Sequence, residues 1–129
     1  MKRLTISKLK SNAQLIFNTF IRKRDQLPNG KWICISCGKA IDKCNAGHYA
    51  NTKQFGHLRF DEINVNAQCI GCNLHKHGNL IGYRQGLIKK YGEERVKELE
   101  ERALNPSHKW TSEELLDIIE KYNKTDVTN

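Results

Sequence analysis

Cys34-Ile35-Ser36-Cys37-Gly38 and Cys69-Ile70-Gly71-Cys72-Asn73 decide how this chain is read. Each stretch carries a CxxC pair, and 31 residues lie between the pairs. A single pair suits a redox dithiol. Two matched pairs read as a metal site, because each tight turn brings two sulfurs to one side and four thiolates complete a tetrahedron around structural zinc. Gly38 and Gly71 supply backbone freedom at these knuckles. Five cysteines is an odd number, and the start, Met1-Lys2-Arg3-Leu4, runs on without an uninterrupted apolar segment. The expectation is therefore an intracellular, cytoplasmic protein with reduced thiols and no membrane span. Cys44 is left over and reads as a small core residue, the alternative being a ligand or a reactive thiol.

On the amino-terminal side, Leu9, Ala13, Ile16, Phe17, Phe20 and Ile21 recur at three- and four-residue steps, so residues 7–24 read as an amphipathic helix ending at Leu27-Pro28-Asn29-Gly30. Lys31-Trp32-Ile33 is a short extended lead into the first knuckle. Residues 39–68 show no helical period and read as loops with two short strands, placed around Leu58-Arg59-Phe60 and Asn64-Val65-Asn66. Past the second knuckle, residues 73–91 read as a helix with Leu74, Ile81, Leu87 and Ile88 inward. Gly78, Gly82 and Gly86 would share one face of it, at roughly 1 kcal/mol each relative to Ala, as expected of close approach to another backbone, protein or DNA; a frayed helix is the other reading. Residues 93–104 read as a charged helix with Val96 and Leu99 inward. Thr111 and Glu114 form a capping box, Trp110 and Leu115 a hydrophobic staple, and Leu115, Ile118, Ile119 and Tyr122 continue the apolar face of a final helix that frays after residue 124.

The 129 residues suit one domain, with segments 1–30, 31–92 and 93–129. Charge divides them unevenly. Residues 1–92 carry 16 Lys+Arg against 4 Asp+Glu, and residues 93–129 carry 6 against 10, within a total of +8. A basic body points to a polyanionic partner, most simply nucleic acid. Lys76, Arg84, Lys89 and Lys90 are the first candidates for phosphate contact, with Arg22, Lys23, Arg24 and Arg59 second. No base-reading motif is present. His57 and His77 read as structural, and His108 as packing beside Trp110.

His48, then Asn64, then Cys69-Ile70-Gly71-Cys72-Asn73 opening a helix, is an order that resembles the HNH-like ββα-metal nucleases of the His-Me finger class. With its flanks included, the chain resembles the lambdoid phage NinG (Rap) family. The residues that carry this are residues 20–25, Cys34-Ile35-Ser36-Cys37-Gly38, Ala46-Gly47-His48-Tyr49, Leu58-Arg59-Phe60, Gln68-Cys69, Cys72-Asn73-Leu74-His75-Lys76, Gly78-Asn79-Leu80 and His108-Lys109-Trp110-Thr111. Longer members carry an amino-terminal extension. The resemblance implies recombination nucleases that cut Holliday junctions and D-loops. It implies His48 as general base, Asn64 as the residue orienting it, and Asn73 as ligand of one catalytic Mg²⁺ or Mn²⁺. Where HNH proteins carry Asp or His this chain has Gly47, and where family members often carry Asp it has Asn45. Asn45, Asp61, Glu62 and His75 stay open as the second ligand.

The expected fold is α+β, a small ββα centre pinned by a Cys₄ zinc and flanked by amino- and carboxy-terminal helices. The expected function is a metal-dependent, structure-selective endodeoxyribonuclease acting on branched DNA, with the terminal helices as the interface of a homodimer. A zinc-stabilised DNA-binding accessory protein without catalysis is the alternative, and a zinc-ribbon module that binds a protein is the third.

Overall fold

The computed structural model describes residues 4–127, with side chains through residue 123. Helix α1 spans Ile6–Asp25; Thr5 caps it by accepting the Lys8 amide at 3.1 Å, and Leu9, Ala13, Phe17 and Ile21 form its buried stripe. Gln26 leaves the helix in an extended conformation two residues before Pro28, whose ring disfavours helix in the residue preceding it. Strands β1 (Trp32–Ile33) and β2 (Ala40–Ile41) pair antiparallel and carry the first knuckle between them, with Gly38 at φ +74°. Gly71 has no positive φ, so only one of the two expected glycines supplies that freedom.

Strands β3 (Asn45–His48) and β4 (Val65–Gln68) form a second antiparallel ribbon in which Asn45 stands opposite Gln68 and His48 opposite Val65. The expected strand at Leu58-Arg59-Phe60 is instead a 3₁₀ turn, Gly56–Leu58, inside the long β3–β4 connection. The expected helix over 73–91 is broken in two. A π-type turn, Gly71–His75, comes first, and then α2, Leu80–Tyr91. Between them His77, Gly78 and Asn79 lie at φ +49°, +85° and +42°, a left-handed run that no helix continues through. Leu74 and Ile81 are accordingly exposed, whereas Leu87 is buried and Ile88 packs against the core.

Helix α3 spans Glu93–Ala103 and α4 spans Ser112–Val127, so the helix continues past the expected fraying point, and residues 128 and 129 lie outside the described ones. The capping box is formed: the Glu114 amide donates to Thr111 Oγ1 at 3.2 Å and the Thr111 amide to Glu114 Oε1 at 2.9 Å.

Two apolar clusters flank the β3–β4 ribbon. In one, α1 and α4 close on each other, with Phe17 edge-on to Tyr122 at 4.7 Å and Ala46 and Val65 of the ribbon packed below. In the other, Tyr83 and Leu87 of α2 meet Val96 and Leu99 of α3. The terminal helices, expected as a dimer interface, thus spend their apolar stripes on one another. Gly82 and Gly86 explain themselves, since a Cβ on either would sit under 3.0 Å from the carbonyl oxygen of Ser36 or Ile35. Helix α2 needs the bare face in order to lie against the first knuckle, which makes the close partner protein backbone; Gly78 falls outside the helix.

Candidate functional site

The four knuckle sulfurs of Cys34, Cys37, Cys69 and Cys72 all lie within 4.8 Å of one another, with Cys37 and Cys69 at 3.9 Å. Tetrahedral ligation at a Zn–S distance of about 2.3 Å puts sulfurs about 3.8 Å apart, so the donor set fits zinc. Amides already point at the sulfurs: Cys69 N–H donates to Cys34 Sγ at 3.2 Å, Cys72 N–H to Cys69 Sγ at 3.3 Å, and Asn79 Nδ2 to Cys72 Sγ at 3.4 Å. Burial pushes the Cys34 thiol up, but the amides of Cys69, Cys37 and Ser36 more than offset it and bring it down to about 7, toward the thiolate a metal needs. Cys44 stands outside this cluster, half-buried, its thiol pushed up to about 11 by burial. It is no fifth ligand.

His48 ends β3 and turns, like Ala46 two residues before it, to the α1 side of the ribbon. Its Nε2 lies 3.1 Å from the carbonyl oxygen of Arg59, and Gln14 Nε2 of α1 reaches the same oxygen at 3.2 Å. A carbonyl only accepts, so Nε2 carries the ring proton and Nδ1 keeps its lone pair. Burial holds the imidazole below its ordinary value, opposed by the hydrogen bond to Arg59 O and reinforced by the Arg59 guanidinium. Asn64, expected to orient the ring, makes its side-chain hydrogen bonds to Ala50 and Leu58 rather than to His48. Fully buried, it accepts the Ala50 amide at 2.8 Å and donates to the carbonyls of Ala50 and Leu58, both at 3.1 Å, which fixes the loop from which Arg59 O projects.

Two buried polar atoms beside His48 have no partner, the acceptor Gln14 Oε1 and the donor Arg59 Nε. Sequence reasoning gave Gln14 no role, and a glutamine on an amphipathic helix carries no motif by which to find it. On the opposite face of the ribbon a third orphan, Gln68 Oε1, faces Gly47 so closely that any Cβ there would collide with it. Gln68 Nε2 donates to Gly78 O at 2.6 Å and to Ser36 Oγ at 2.8 Å, and Gly78 O can only accept, which fixes the amide with its oxygen unsatisfied. The missing side chain at position 47 thus leaves the room that the amide of Gln68 fills.

The candidate cation ligands are not gathered around His48. Strand alternation sets Asn45 with Gly47, facing away from Ala46 and His48. Asn73 is half-buried in the π-type turn and His75 is exposed on it. None of these three side chains has a hydrogen-bond partner among the described residues. Asp61 is engaged by Arg102 and by the amides of Ile63 and Asn64, and Glu62 accepts the Tyr122 hydroxyl at 2.9 Å. Among the described residues, the four cysteines are the one grouping of His, Cys, Asp or Glu compact enough for an ion. Opposite Asn45 in the ribbon register, the buried Gln68 Oε1 is an acceptor without a partner among the described residues.

The basic residues divide. Lys76 and Lys89 are exposed, with no partner among the described residues. Arg84 is held by Glu100 at 2.8 and 3.0 Å. Lys90 lies 2.9 Å from Asp25 and 2.8 Å from Asn66 Oδ1, within a network in which Arg24 binds both Asp25 oxygens and the carbonyls of Glu62 and Val65. Arg84, Lys90 and Arg24 thus join elements together, and their charges are partly answered within the chain. Arg59 is half-buried, its Cζ 5.9 Å from the Phe60 ring. His57 Nε2 donates to Arg102 O at 2.8 Å while its buried Nδ1 has no partner among the described residues, and His108 packs edge-on to Trp110 at 5.0 Å.

A model of the family described as Bacteriophage Lambda NinG protein matches residues 2–128. Similar curated proteins, each named Protein ninG, come from Escherichia phage 933W at 46% identity, and from Escherichia phage lambda and Salmonella phage P22 at 44%. Each alignment spans 114 residues and 87% of this chain, and covers 53%, 52% and 53% of the respective relative. The chain spans about half the length of the curated relatives it matches. No solved structure matches it, and among the described residues no helix is long and apolar enough to cross a membrane.

Proposed function

The chain belongs to the NinG family of lambdoid phage proteins, and from that premise we propose that it is a structure-selective endodeoxyribonuclease that hydrolyses phosphodiester bonds in branched recombination intermediates, Holliday junctions and D-loops. The observation that carries the reading is the pinned, neutral His48, with Nε2 given to Arg59 O and Nδ1 open. In this reading Nδ1 takes a proton from water as the water oxygen adds to phosphorus and the bond to the 3′ oxygen breaks. The guanidinium of the half-buried Arg59, whose charge acts on His48, offers a positive group to the phosphate. Asn64 is a positioning residue that acts through the loop. Mg²⁺ or Mn²⁺, for which Asn73, Asn45 and His75 are the candidate ligands, would supply neutralisation of charge on the phosphate and on the leaving oxygen.

A second reading, a DNA-binding recombination accessory protein without catalysis, is favoured by one specific observation: Asn45 and His48 face opposite sides of the ribbon and can serve one phosphate only from across its edge. The deciding experiment is cleavage of a labelled four-way junction beside linear duplex, with Mg²⁺ or Mn²⁺, for wild type and His48→Ala, with zinc content measured in both. The nuclease reading expects divalent-dependent junction cutting that the variant loses while keeping its zinc. Junction binding without cutting by wild type under either cation overturns it in favour of the second reading.

A further inference from the structure

Four apolar side chains near the second knuckle belong to neither core. Ile70 is 42% exposed, Leu74 64%, Leu80 49% and Ile81 80%. They fall on one stretch of chain, residues 70–81, which holds the π-type turn, the left-handed run and the start of α2. This stretch is tied down by its own backbone: Lys76 N–H donates to Gly71 O at 3.1 Å, Gly78 N–H to Cys72 O at 2.9 Å and Asn79 N–H to Lys76 O at 2.8 Å. The Asn79 side chain reaches Cys72 Sγ, and Gly78 O receives Gln68. Apolar residues are thus presented on a stiff mount anchored to the zinc ligands, and a left-handed conformation at two non-glycine residues persists only where surroundings over-determine it.

Charge indicates what covers this patch. Residues 63–92 contain no aspartate or glutamate, while Lys76, Arg84, Lys89 and Lys90 lie among them. Lys76 falls between Leu74 and Leu80, exposed and without a partner among the described residues, with His75 and His77 exposed on either side of it. Glu100, the acid beside Leu80, is answered by Arg84, which leaves Lys76 as the unanswered charge among these apolar side chains, and an apolar patch that carries an unpaired cation matches a polyanion that also offers apolar faces. Nucleic acid does this where bases are unstacked.

We infer that Leu74 and Ile81, flanked by Lys76, form a wedge that enters the unstacked base step at the branch point of a DNA junction. The inference rests on the DNA reading above and deepens it. In continuous duplex the wedge has to separate stacked bases before it gains contact; at a branch that separation is already partly made. The same side chains that gain little on linear DNA gain more at a junction, so discrimination arises without base reading.

The test uses the full chain and a four-way junction carrying 2-aminopurine at the branch. Wild type is expected to raise its fluorescence on binding. Leu74→Ser/Ile81→Ser, substituted at exposed positions and checked for unchanged zinc content, is expected to lose that rise and roughly tenfold of the junction-over-duplex preference, while binding linear duplex as wild type does. Lys76→Ala is expected to weaken binding to both DNAs alike. Junction binding by wild type without a fluorescence change, or an unchanged preference in the double variant, overturns the wedge and leaves the DNA reading standing. Failure of wild type to bind junction overturns both. A wild-type dimer in sedimentation that the double variant dissociates assigns the patch to a second copy of the chain and overturns the wedge as well.

Discussion

Replacing Gly86 with alanine tests how the zinc knuckle and α2 are joined. Helix propensity alone favours the change by about 1 kcal/mol, because an interior helical glycine is replaced by the best helix former. Packing opposes it. The new Cβ falls under 3.0 Å from Ile35 O and at 3.0 Å from the carbonyl carbon of Ile35, and ordinary contact needs at least about 3.4 Å. The obstacle is backbone, so no rotamer change relieves it. Ile35 cannot withdraw freely, because its own amide donates to Ala67 O at 3.0 Å and its neighbour Cys34 is one of the four clustered cysteines that fit a metal. Overpacking of about 1–3 kcal/mol, joined by about 1 kcal/mol for a strained or broken Ile35–Ala67 hydrogen bond, exceeds the propensity gain and leaves a net loss of about 1–3 kcal/mol. Near 129 residues that corresponds to about 4 °C of melting temperature per kcal/mol. Urea unfolding of the zinc-loaded protein, followed by circular dichroism, reads the loss as a lowered midpoint at unchanged m, with zinc released at lower urea. A variant as stable as wild type or more so, with its zinc retained, would refute the close approach of helix and knuckle.

Zinc removal by a strong chelator should release one equivalent and collapse the ellipticity, because zinc binding free energy, on the order of 10 kcal/mol, is folding free energy in such small sites; a chelated protein that keeps its thermal transition would contradict this. Asn64→Leu leaves the Ala50 amide and the carbonyls of Ala50 and Leu58 unpaired in a dry interior, an expected cost of about 2–4 kcal/mol in urea titration. For His48, burial depresses the folded pKa below the ordinary 6.5, so the unfolded chain binds the extra proton first. The stability this group contributes is present above pH 6.5 and is lost as pH falls through the folded value; unfolding at pH 5 and pH 7 should show that loss in wild type and not in His48→Ala. On the nuclease reading, the acid limb of junction cleavage should fall below pH 6.5 for the same reason, and a limb at or above 6.5 would exclude this histidine as the base.

The parts of the fold that were legible in the sequence are those whose requirement is local. The two knuckles declare themselves by spacing, α1 by Leu9, Ala13, Phe17 and Ile21, and α4 by its cap. The break at residues 76–79 was not legible, because Gly78, Gly82 and Gly86 keep a helical spacing through it; what selects the left-handed run is tertiary, the pull of Gln68 on Gly78 O and of Cys72 on Asn79. With that break hidden, the helical spacing predicts Leu74 and Ile81 inward, where the fold exposes both. His48 stood out by its neighbours, yet its partner is the carbonyl of Arg59, and a backbone oxygen has no letter in a sequence. The sequence assigns Gln14 no motif and Gln68 no role beyond its place in the family resemblance, because an amide carries no charge pattern, and their orphaned oxygens exist only once the surrounding donors are placed. Arg84 and Lys90 looked free by composition alone; Glu100 and Asp25 meet them only through packing.

The closing of α1 against α4 has a consequence during synthesis. Phe17 and Phe20 leave the ribosome early, but Tyr122 lies 4.7 and 4.8 Å from their rings and about a hundred residues later in the chain. A nascent chain that ends before Ser112 carries both knuckles and can load metal, yet leaves the apolar stripe of its first helix uncovered. Metal uptake and burial of that stripe are therefore separate events in time, and ribosome-bound chains stalled before α4 should be the aggregation-prone ones.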